Sequence, residues 1–245
     1  MKMKNILIFL CSSIFMFSSC NNEEENISIT LNFTHHWNGT AITNQDLNML
    51  KFTNANGEKV SIENLRYLVS NISLVASKNH HLINFNENKG TSITISNLTN
   101  GTYALSFRFG FSDEDNEDGI YQDLNSVSFN VPGMLGGGYH YMQFDGKYID
   151  NTSQEAGFNY HAIRAVDATG PNNLKFEDTS FAVSLGTVVI TNTTEIEIKM
   201  NLAEWFKNPN TWNLNELNTV LMPNFEAQKM MNANGKSVFS LGVVN

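Results

Sequence analysis

The chain has 245 residues, which is enough for one large domain or two small ones. Its hydrophobic fraction of 41% suits a globular core, whereas only 16% of its residues are charged and its formal net charge is −9. An acidic chain with few Lys and Arg residues argues against nucleic acid as a partner, because binding to phosphates needs clustered positive charge.

The first segment of the chain, residues 1–19, has the pattern of a lipoprotein signal peptide. Lys2 and Lys4 precede the apolar stretch Ile6–Phe17, which is too short to span a bilayer as a helix of about 20 residues. Small residues then lead to Cys20, as in the bacterial lipobox, where the Cys is acylated and becomes the mature N-terminus. We expect a lipid anchor on Cys20; an ordinary cleaved signal with an incidental Cys is the alternative.

The mature chain is expected to start with a short tether and continue as one domain. Residues 20–26 are acidic and resemble the surface-export signal of Bacteroidota lipoproteins, although a charge run is also typical of a solvated linker. Residues 27–245 show no internal repeat and no interdomain linker. Cleavage would change the formal charge from −9 to −11 and leave the domain without any thiol, disulfide or Cys ligand. We expect an outer-membrane lipoprotein that faces the periplasm or the cell surface.

The first half of the domain has the alternation of short strands. Apolar and polar residues alternate over Ile27–Phe33, Ser92–Ile95 and Tyr103–Phe109, so one face of each strand should be buried. Asn56-Gly57 predicts a tight hairpin, since both residues tolerate positive φ. Leu65–Val75 predicts a longer strand.

The second half continues this pattern and adds two short helical segments. The predicted strands are Tyr139–Phe144, Gly157–Ile163, a pair formed by Phe181–Leu185 and Thr187–Thr191 around Gly186, and Glu195–Leu202. Ala203–Lys207 predicts one helical turn, and Asn224–Asn232 predicts a short helix near the C-terminus. Many short strands separated by Gly and Asn turns indicate an all-β fold, an antiparallel β-sandwich.

Two histidines on neighbouring predicted strands are the first candidates for chemistry. Only a short turn separates the segments that hold His140 and His161, so these strands should pair. Cross-strand neighbours have Cβ atoms about 4.5–5.5 Å apart, which lets two imidazoles share one ion. Regular alternation would put His140 on one face with Met142 and Phe144. Two partly buried histidines with hydrogen-bonded rings are the alternative.

Two other histidine pairs occur in the chain. His35 and His36 follow the first predicted strand, and adjacent residues of a strand point to opposite faces, so only one of them could join a given site. His80 and His81 follow Lys78 and Asn79 within an apparent loop, and we expect them at the surface. Neither pair predicts a metal site by itself.

The acidic run Ser112–Gly119 invites comparison with a calcium loop. Its sixth position is Asp118 and its twelfth is Leu124, which does not fit the EF-hand pattern, so a solvated loop is the better interpretation. The sequence contains no nucleophile elbow, P-loop or dinucleotide-binding glycine motif, and it shows no activated nucleophile or acid–base pair. We therefore expect a protein that is not an enzyme.

Several short fragments in a fixed order span nearly the whole mature chain: Asn32–His35, Leu65–Ile72, Gly137–Tyr148, Phe158–His161, Trp205–Pro209 and Met222–Asn224. Together they resemble the MbnP-like family, copper-binding periplasmic or outer-membrane proteins named for an association with methanobactin operons. The chain departs from many relatives in the Gly-rich block, where it has His140 and Met142 in place of tryptophans.

The resemblance implies a mostly β domain that binds copper, as Cu(I) or Cu(II), through histidine; zinc is the alternative metal. It implies His35, His140 and His161 as ligands, with His36 as a substitute for His35. Some relatives carry a tryptophan oxidised to kynurenine by a partner dihaem enzyme of the cytochrome c peroxidase type. Trp37 is the candidate for that modification, since it is the only Trp beside a His.

The resemblance therefore predicts an anchored protein that captures or stores copper without catalysis. The alternative function is an anchored β-sandwich module that binds glycans or a surface protein. In that case Tyr139, Tyr141 and Tyr160 would be exposed and would stack on sugars.

Overall fold

Strands with one buried face form most of the molecule. The computed structural model describes residues 26–75, 78–167, 174–191 and 194–245. Its strands are β1 (Ile27–Trp37), β2 (Thr40–Ala41), β3 (Phe52–Thr53), β4 (Lys59–Val60), β5 (Asn64–Ser70), β6 (His80–Asn84), β7 (Ser92–Leu98), β8 (Gly101–Phe109), β9 (Met142–Ile149), β10 (Glu155–Ala162), β11 (Ala165–Asp167), β12 (Lys175–Glu177), β13 (Phe181–Ile190), β14 (Glu195–Asn201) and β15 (Phe239–Val244).

Helical segments are short and lie between the strands. The α-helices are α1 (Gln122–Ser126) and α2 (Phe225–Gly235), and the 3-10 helices are Asn44–Asp46, Gly133–Leu135 and Leu202–Phe206. The side chain of Asn224 caps α2 by accepting a hydrogen bond from the backbone N–H of Ala227. None of the helices in the described ranges is long and apolar enough to cross a membrane.

Two larger sheets enclose the core. In the first sheet, β15, β14, β1 and β2 are neighbours in that order and β7 also pairs with β1; the β1–β14 pairing is parallel. In the second sheet the order is β13, β8, β5, β9, β4 and β3, with β6 paired to β5 and β10 paired to β9. A further small sheet joins β11 and β12. The all-β, sandwich-like fold predicted from the sequence is confirmed.

The core is aromatic and aliphatic, and each sheet contributes its alternate residues. Leu31 and Phe33 of β1 are 0% and 3% exposed, and Leu65 and Tyr67 of β5 are both 0% exposed. At about 25 cal/mol per Å² of apolar surface removed from water, such side chains supply the main stabilisation of the fold.

Most predicted strands are present, but several limits differ. β1 runs on to Trp37, so the strand itself includes both histidines that were expected after it. β5 stops at Ser70, because Asn71 has a φ of 51° and turns the chain. The predicted strand pair around Gly186 is wrong: β13 is one continuous strand with a bulge, where the pairing register with β8 shifts between Ser184 and Thr187.

The outward face of the second sheet carries a polar row. Arg66 of β5 lies opposite Gln143 of β9, and Gln143 lies opposite His161 of β10. Two residues further along β9, on the same face, Asp145 lies opposite both Asn64 and Asn159. This row positions the candidate site. The predicted signal peptide and Cys20 lie outside the described residues.

Candidate metal centre

His161 is held on the polar face by a carboxylate. Its Nε2 lies 2.8 Å from Oδ1 of Asp145, on the neighbouring strand. An ionised carboxylate can only accept, so Nε2 carries a proton, and in the neutral form of the ring Nδ1 then has the lone pair. The side chain of His161 is 18% exposed. A carboxylate behind one ring nitrogen, with the other nitrogen free, is the usual setting of a histidine that binds metal.

Asp145 is ionised because its neighbours donate to it. Burial alone would raise the pKa of this carboxyl, but hydrogen bonds from His161, Asn159 and Asn64 outweigh burial and lower the pKa to about 2. Asn159 donates to Oδ1 at 2.6 Å and Asn64 donates to Oδ2 at 2.8 Å. The carboxylate is therefore charged and fixed at neutral pH, and it orients the ring of His161.

His140 reaches the site from outside the strand, which differs from the sequence-based expectation. β9 begins at Met142, so the alternation that was extrapolated back to His140 does not apply. Met142 and Phe144 are 0% exposed in the core, and the cross-strand partner of His161 is Gln143. The expectation that His140 shares a face with Met142 and Phe144 is wrong, because the chain is irregular before Met142.

The Gly-rich segment before His140 is fixed by the acidic loop. The side-chain oxygen of Asn116 accepts from the backbone N–H of Tyr139 at 2.8 Å, and a carboxylate oxygen of Asp118 accepts from Gly138 at 3.0 Å. Gly138 has a φ of 83°, and a Cβ added there would lie 2.7 Å from the Asn116 side-chain oxygen. Only glycine permits both this conformation and this approach. The acidic loop, Ser112–Gly119, thus fixes the backbone of the segment that carries His140.

Phe129 sets the tautomer of His140. Its backbone oxygen accepts from the backbone N–H of His140 and also lies 3.0 Å from Nδ1 of the same residue. Because a carbonyl only accepts, Nδ1 carries the proton and Nε2 presents a lone pair. His140 is 4% exposed, and Nε2 is buried without a hydrogen-bond partner. A buried acceptor without a partner is unusual and calls for a ligand or a water molecule.

Burial keeps His140 neutral. Desolvation lowers its pKa to about 4; the Phe129 hydrogen bond opposes this shift, and the charges of His161 and Arg66 add to it. The ring is therefore uncharged at neutral pH, which is the form that binds metal.

The rings of His140 and His161 are in edge contact. Their centroids are 5.3 Å apart with an interplanar angle of 84°. Two imidazoles that bind one ion at about 2.0–2.1 Å, the length typical of zinc, have centroids roughly 5–6 Å apart. The pair matches that separation. The described residues contain no group of three or more His, Cys, Asp or Glu side chains that could hold a metal ion, so protein donors of these types supply two ligands at most.

The expected third ligand lies elsewhere. His35 is 3% exposed; its Nε2 is 3.1 Å from the Tyr67 hydroxyl, and its ring packs on Phe85. Burial, and next the charge of His36, lower the pKa of His35 to about 3. His36 points to the other side of β1, where its Nε2 is 3.0 Å from the hydroxyl of Thr34. The expected site with three histidines is therefore not assembled in the described part of the chain.

The remaining tryptophan and histidine candidates also have defined places. Trp37 is 6% exposed, stacks on Phe52, and donates its indole N–H to the backbone oxygen of Thr53 at 3.1 Å. Trp205 is fully buried, as expected for core packing. The expectation of a loop at His80 and His81 is wrong: both residues belong to β6, which pairs with β5, and both are partly buried.

The three tyrosines that would stack on sugars in the alternative function are buried. Tyr139, Tyr141 and Tyr160 are all 0% exposed. They belong to the core, and the phenol of Tyr160 donates to the backbone oxygen of Trp205 at 3.0 Å. The prediction that these three rings are exposed is wrong, because they lie on the inward side of their segments.

Comparisons with known proteins agree with this fold. The family model for MbnP matches residues 26–223. The chain belongs to the MbnP family. The solved structure of MbnP from Methylosinus trichosporium superposes with a TM-score of 0.55 at 11% identity, covering 89% of this chain and 99% of that one. No curated protein matches the sequence. At this identity the structural likeness shows the fold alone.

Sequence reasoning missed the groups that orient the two rings. Asp145 is part of the matched block Gly137–Tyr148, but only the strand register places it beside His161. The oxygen of Phe129 is a backbone atom and has no sequence signal. Asn116 stands within an acidic run that was interpreted as a solvated loop, yet it is 3% exposed.

Proposed function

We propose that this MbnP-family protein binds copper through Nε2 of His140 and Nδ1 of His161. The observation that carries the proposal is the buried Nε2 of His140, which has no partner and lies in a ring that contacts His161. Imidazole suits copper, and among divalent first-row ions affinity for nitrogen sites is greatest for copper. The family's association with copper, implied by the resemblance, supports this metal over zinc.

The negative charge of Asp145 favours a cation at the pair, and the positive charge of Arg66 opposes it. Asp145 is ionised behind His161, while the low pKa of His140 keeps that ring neutral. The remaining coordination positions would be filled by water or by an exogenous donor, which makes the site open and suits uptake and release. His35 and His36 have no geometric support as ligands, and we assign neither to the site.

The biological role follows from the anchor predicted at Cys20. A lipoprotein in the outer membrane that captures or stores copper, without catalysis, combines that anchor with an open site of two imidazoles. A dihaem partner of the cytochrome c peroxidase type, with Trp37 as its target, remains a prediction. Intact-protein and peptide mass spectrometry of material purified from the native host would detect kynurenine at Trp37.

The test is copper binding by single-site variants. Metal-free protein is titrated with Cu(II), and with Cu(I) under reducing conditions, by calorimetry and elemental analysis. We expect about one tight copper per wild-type chain, and a loss of at least about tenfold in affinity for His140→Ala and for His161→Ala.

His81→Ala is the matched control. His81 is also a partly buried strand histidine, but it lies on β6 and outside the pair. It should retain the wild-type affinity. Equal copper binding by wild type, His140→Ala and His161→Ala would contradict the assignment, and stronger binding of Zn(II) than of copper would contradict the metal.

A further inference from the structure

Arg66 is a partly buried cation without a carboxylate partner. Its Nη1 donates to the backbone oxygen of Val127 at 3.0 Å, and its Nη2 donates to the side-chain oxygen of Gln143. Both acceptors are neutral. Its Nε is buried and has no partner, and its guanidinium lies 5.5 Å from the ring centre of Phe129. The ion pairs formed by the described residues do not include Arg66.

A surface cleft of about 760 Å³ opens beside this guanidinium. The two carboxylates along it, those of Glu87 and Asp123, already have polar partners. Lys89 Nζ is 2.5 Å from Glu87, and His80 Nε2 is 2.8 Å from Asp123. Arg66 is therefore the cation of the cleft that lacks a close counter-ion among the described residues. Asp145 and Glu87 act on it only through longer-range attraction.

The cleft also has an apolar wall. Leu82 of β6 and Val127 line it together with Arg66, and Val127 is 40% exposed. Ser126 and Ser128 add hydroxyl groups at the same edge. Its volume lies within the range of about 300–1,000 Å³ found for small-molecule sites. One unpaired guanidinium beside an apolar surface matches a ligand with one carboxylate and a small apolar body.

We propose that this cleft binds a small organic monocarboxylate whose anionic group pairs with Arg66. Guanidinium has five N–H donors, of which two are used in the bonds to Val127 and Gln143, and its planar shape suits a carboxylate. The leucine and valine side chains hold the apolar part. The cleft borders the histidine pair, because Gln143 and Phe129 contact Arg66 and also neighbour His161 and His140, but the carboxylate contact uses neither histidine and needs no copper.

The test uses metal-free wild-type protein and three probes: benzoate, its neutral isostere benzamide, and inorganic phosphate. We expect benzoate to bind at least about tenfold more tightly than either of the others, since benzamide lacks the charge that strengthens hydrogen bonds to guanidinium and phosphate lacks the apolar body. Arg66→Gln should weaken benzoate binding by at least about tenfold, whereas Lys89→Gln should change it less than about threefold, because Lys89 already pairs with Glu87.

Mapping by NMR keeps the proposal testable even if Arg66→Gln does not fold. In wild-type protein, benzoate should shift the amide resonances of Leu82, Val127 and Ser128. Absence of binding at tens of millimolar, unchanged binding in Arg66→Gln, tighter binding of phosphate, or shifts confined to other regions would each overturn the proposal.

Discussion

The two histidine regions of this protein differ in how their members meet. His35 and His36 are adjacent in sequence, yet they lie on opposite sides of β1, and His35 is 3% exposed in the core while His36 is partly exposed. His140 and His161 are 21 positions apart in the numbering, and their ring centres are 5.3 Å apart. Strand alternation separates neighbours, and strand pairing joins distant residues.

The second difference concerns the free nitrogens. In the first region, Nε2 of His35 contacts the Tyr67 hydroxyl and Nε2 of His36 contacts the Thr34 hydroxyl. In the second region, each ring uses one nitrogen on a fixed acceptor, and Nε2 of His140 has no partner. A hydrogen-bonded imidazole stabilises a fold, whereas a buried lone pair without a partner is available to a ligand. The comparison separates structural histidines from candidate ligands.

The largest expected effect is at Gly138, which positions His140. Gly138→Ala forces an L residue to a φ of 83° and brings its Cβ within 2.9 Å of the backbone oxygen of Asn116. Backbone strain and overpacking together should cost roughly 3–4 kcal/mol of unfolding free energy, measured by urea denaturation. Copper binding should fall with it.

Gly39→Ala is the matched control in the first region. Gly39 also has a positive φ, 85°, but an added Cβ would have nothing within 4 Å. The strain alone should cost about 1 kcal/mol and leave copper binding intact. If Gly138→Ala and Gly39→Ala lowered copper affinity to a similar extent, the contacts between the acidic loop and Gly138 would not be what positions His140.

The next effect is on the pH dependence of stability. His35 has a pKa of about 3 in the folded protein against 6.5 as its ordinary value. Between these pH values the unfolded state binds more protons at His35 than the folded state does. The stability linked to neutral His35 is therefore fully present above pH 6.5 and is lost as the pH falls toward 3. The unfolding free energy of the wild type should decrease between pH 7 and 4.5. In His35→Gln this decrease should be smaller by about 2–3 kcal/mol.

His36→Gln should leave most of that pH dependence in place, because His36 lies on the partly exposed side of the strand. Urea denaturation at a series of pH values measures both slopes. An unchanged slope in His35→Gln would show that His35 is not the buried neutral group described above.

The sequence predicts much of the fold because alternation survives in most strands. Ile27–Phe33 and Tyr103–Phe109 alternate in the sequence and do so in the structure. The failures have local causes: a bulge joins the two halves of β13, and an irregular stretch before Met142 turns His140 away from the core face. Such breaks depend on long-range contacts that no local pattern contains.

The candidate site is predictable only in part for the same reason. The pairing of the segments around His140 and His161 follows from the short turn between them. The orienting groups, Asp145 and the backbone oxygen of Phe129, require the register and the path of the chain. The resemblance to MbnP-like proteins brought His35 into the expected ligand set, and its burial against Tyr67 and Phe85 leaves it without a place there.

A third prediction concerns the carboxylates behind the two histidine regions. Asp145→Asn keeps the shape of the side chain but removes the charge 2.8 Å from His161. Loss of an orienting carboxylate usually lowers metal affinity by about 10–100-fold, and we expect a decrease of that size in a copper titration. Glu197→Gln is the control, since Glu197 lies 3.7 Å from His36 and should not affect copper. Equal losses in both variants would indicate a general electrostatic effect instead of a specific one.

The smallest expected effect is that of His36 itself. His36→Gln removes the 3.7 Å contact between His36 Nε2 and Glu197 Oε1, whose side chains are 12% and 21% exposed. Pairs near the surface contribute about 0–1 kcal/mol, and Thr34 still donates to Glu197 at 2.8 Å. The variant should therefore lose less than about 1 kcal/mol in urea denaturation and keep the wild-type copper stoichiometry. A copper loss as large as that of His140→Ala would place a ligand on β1 and would remove the distinction between the two regions.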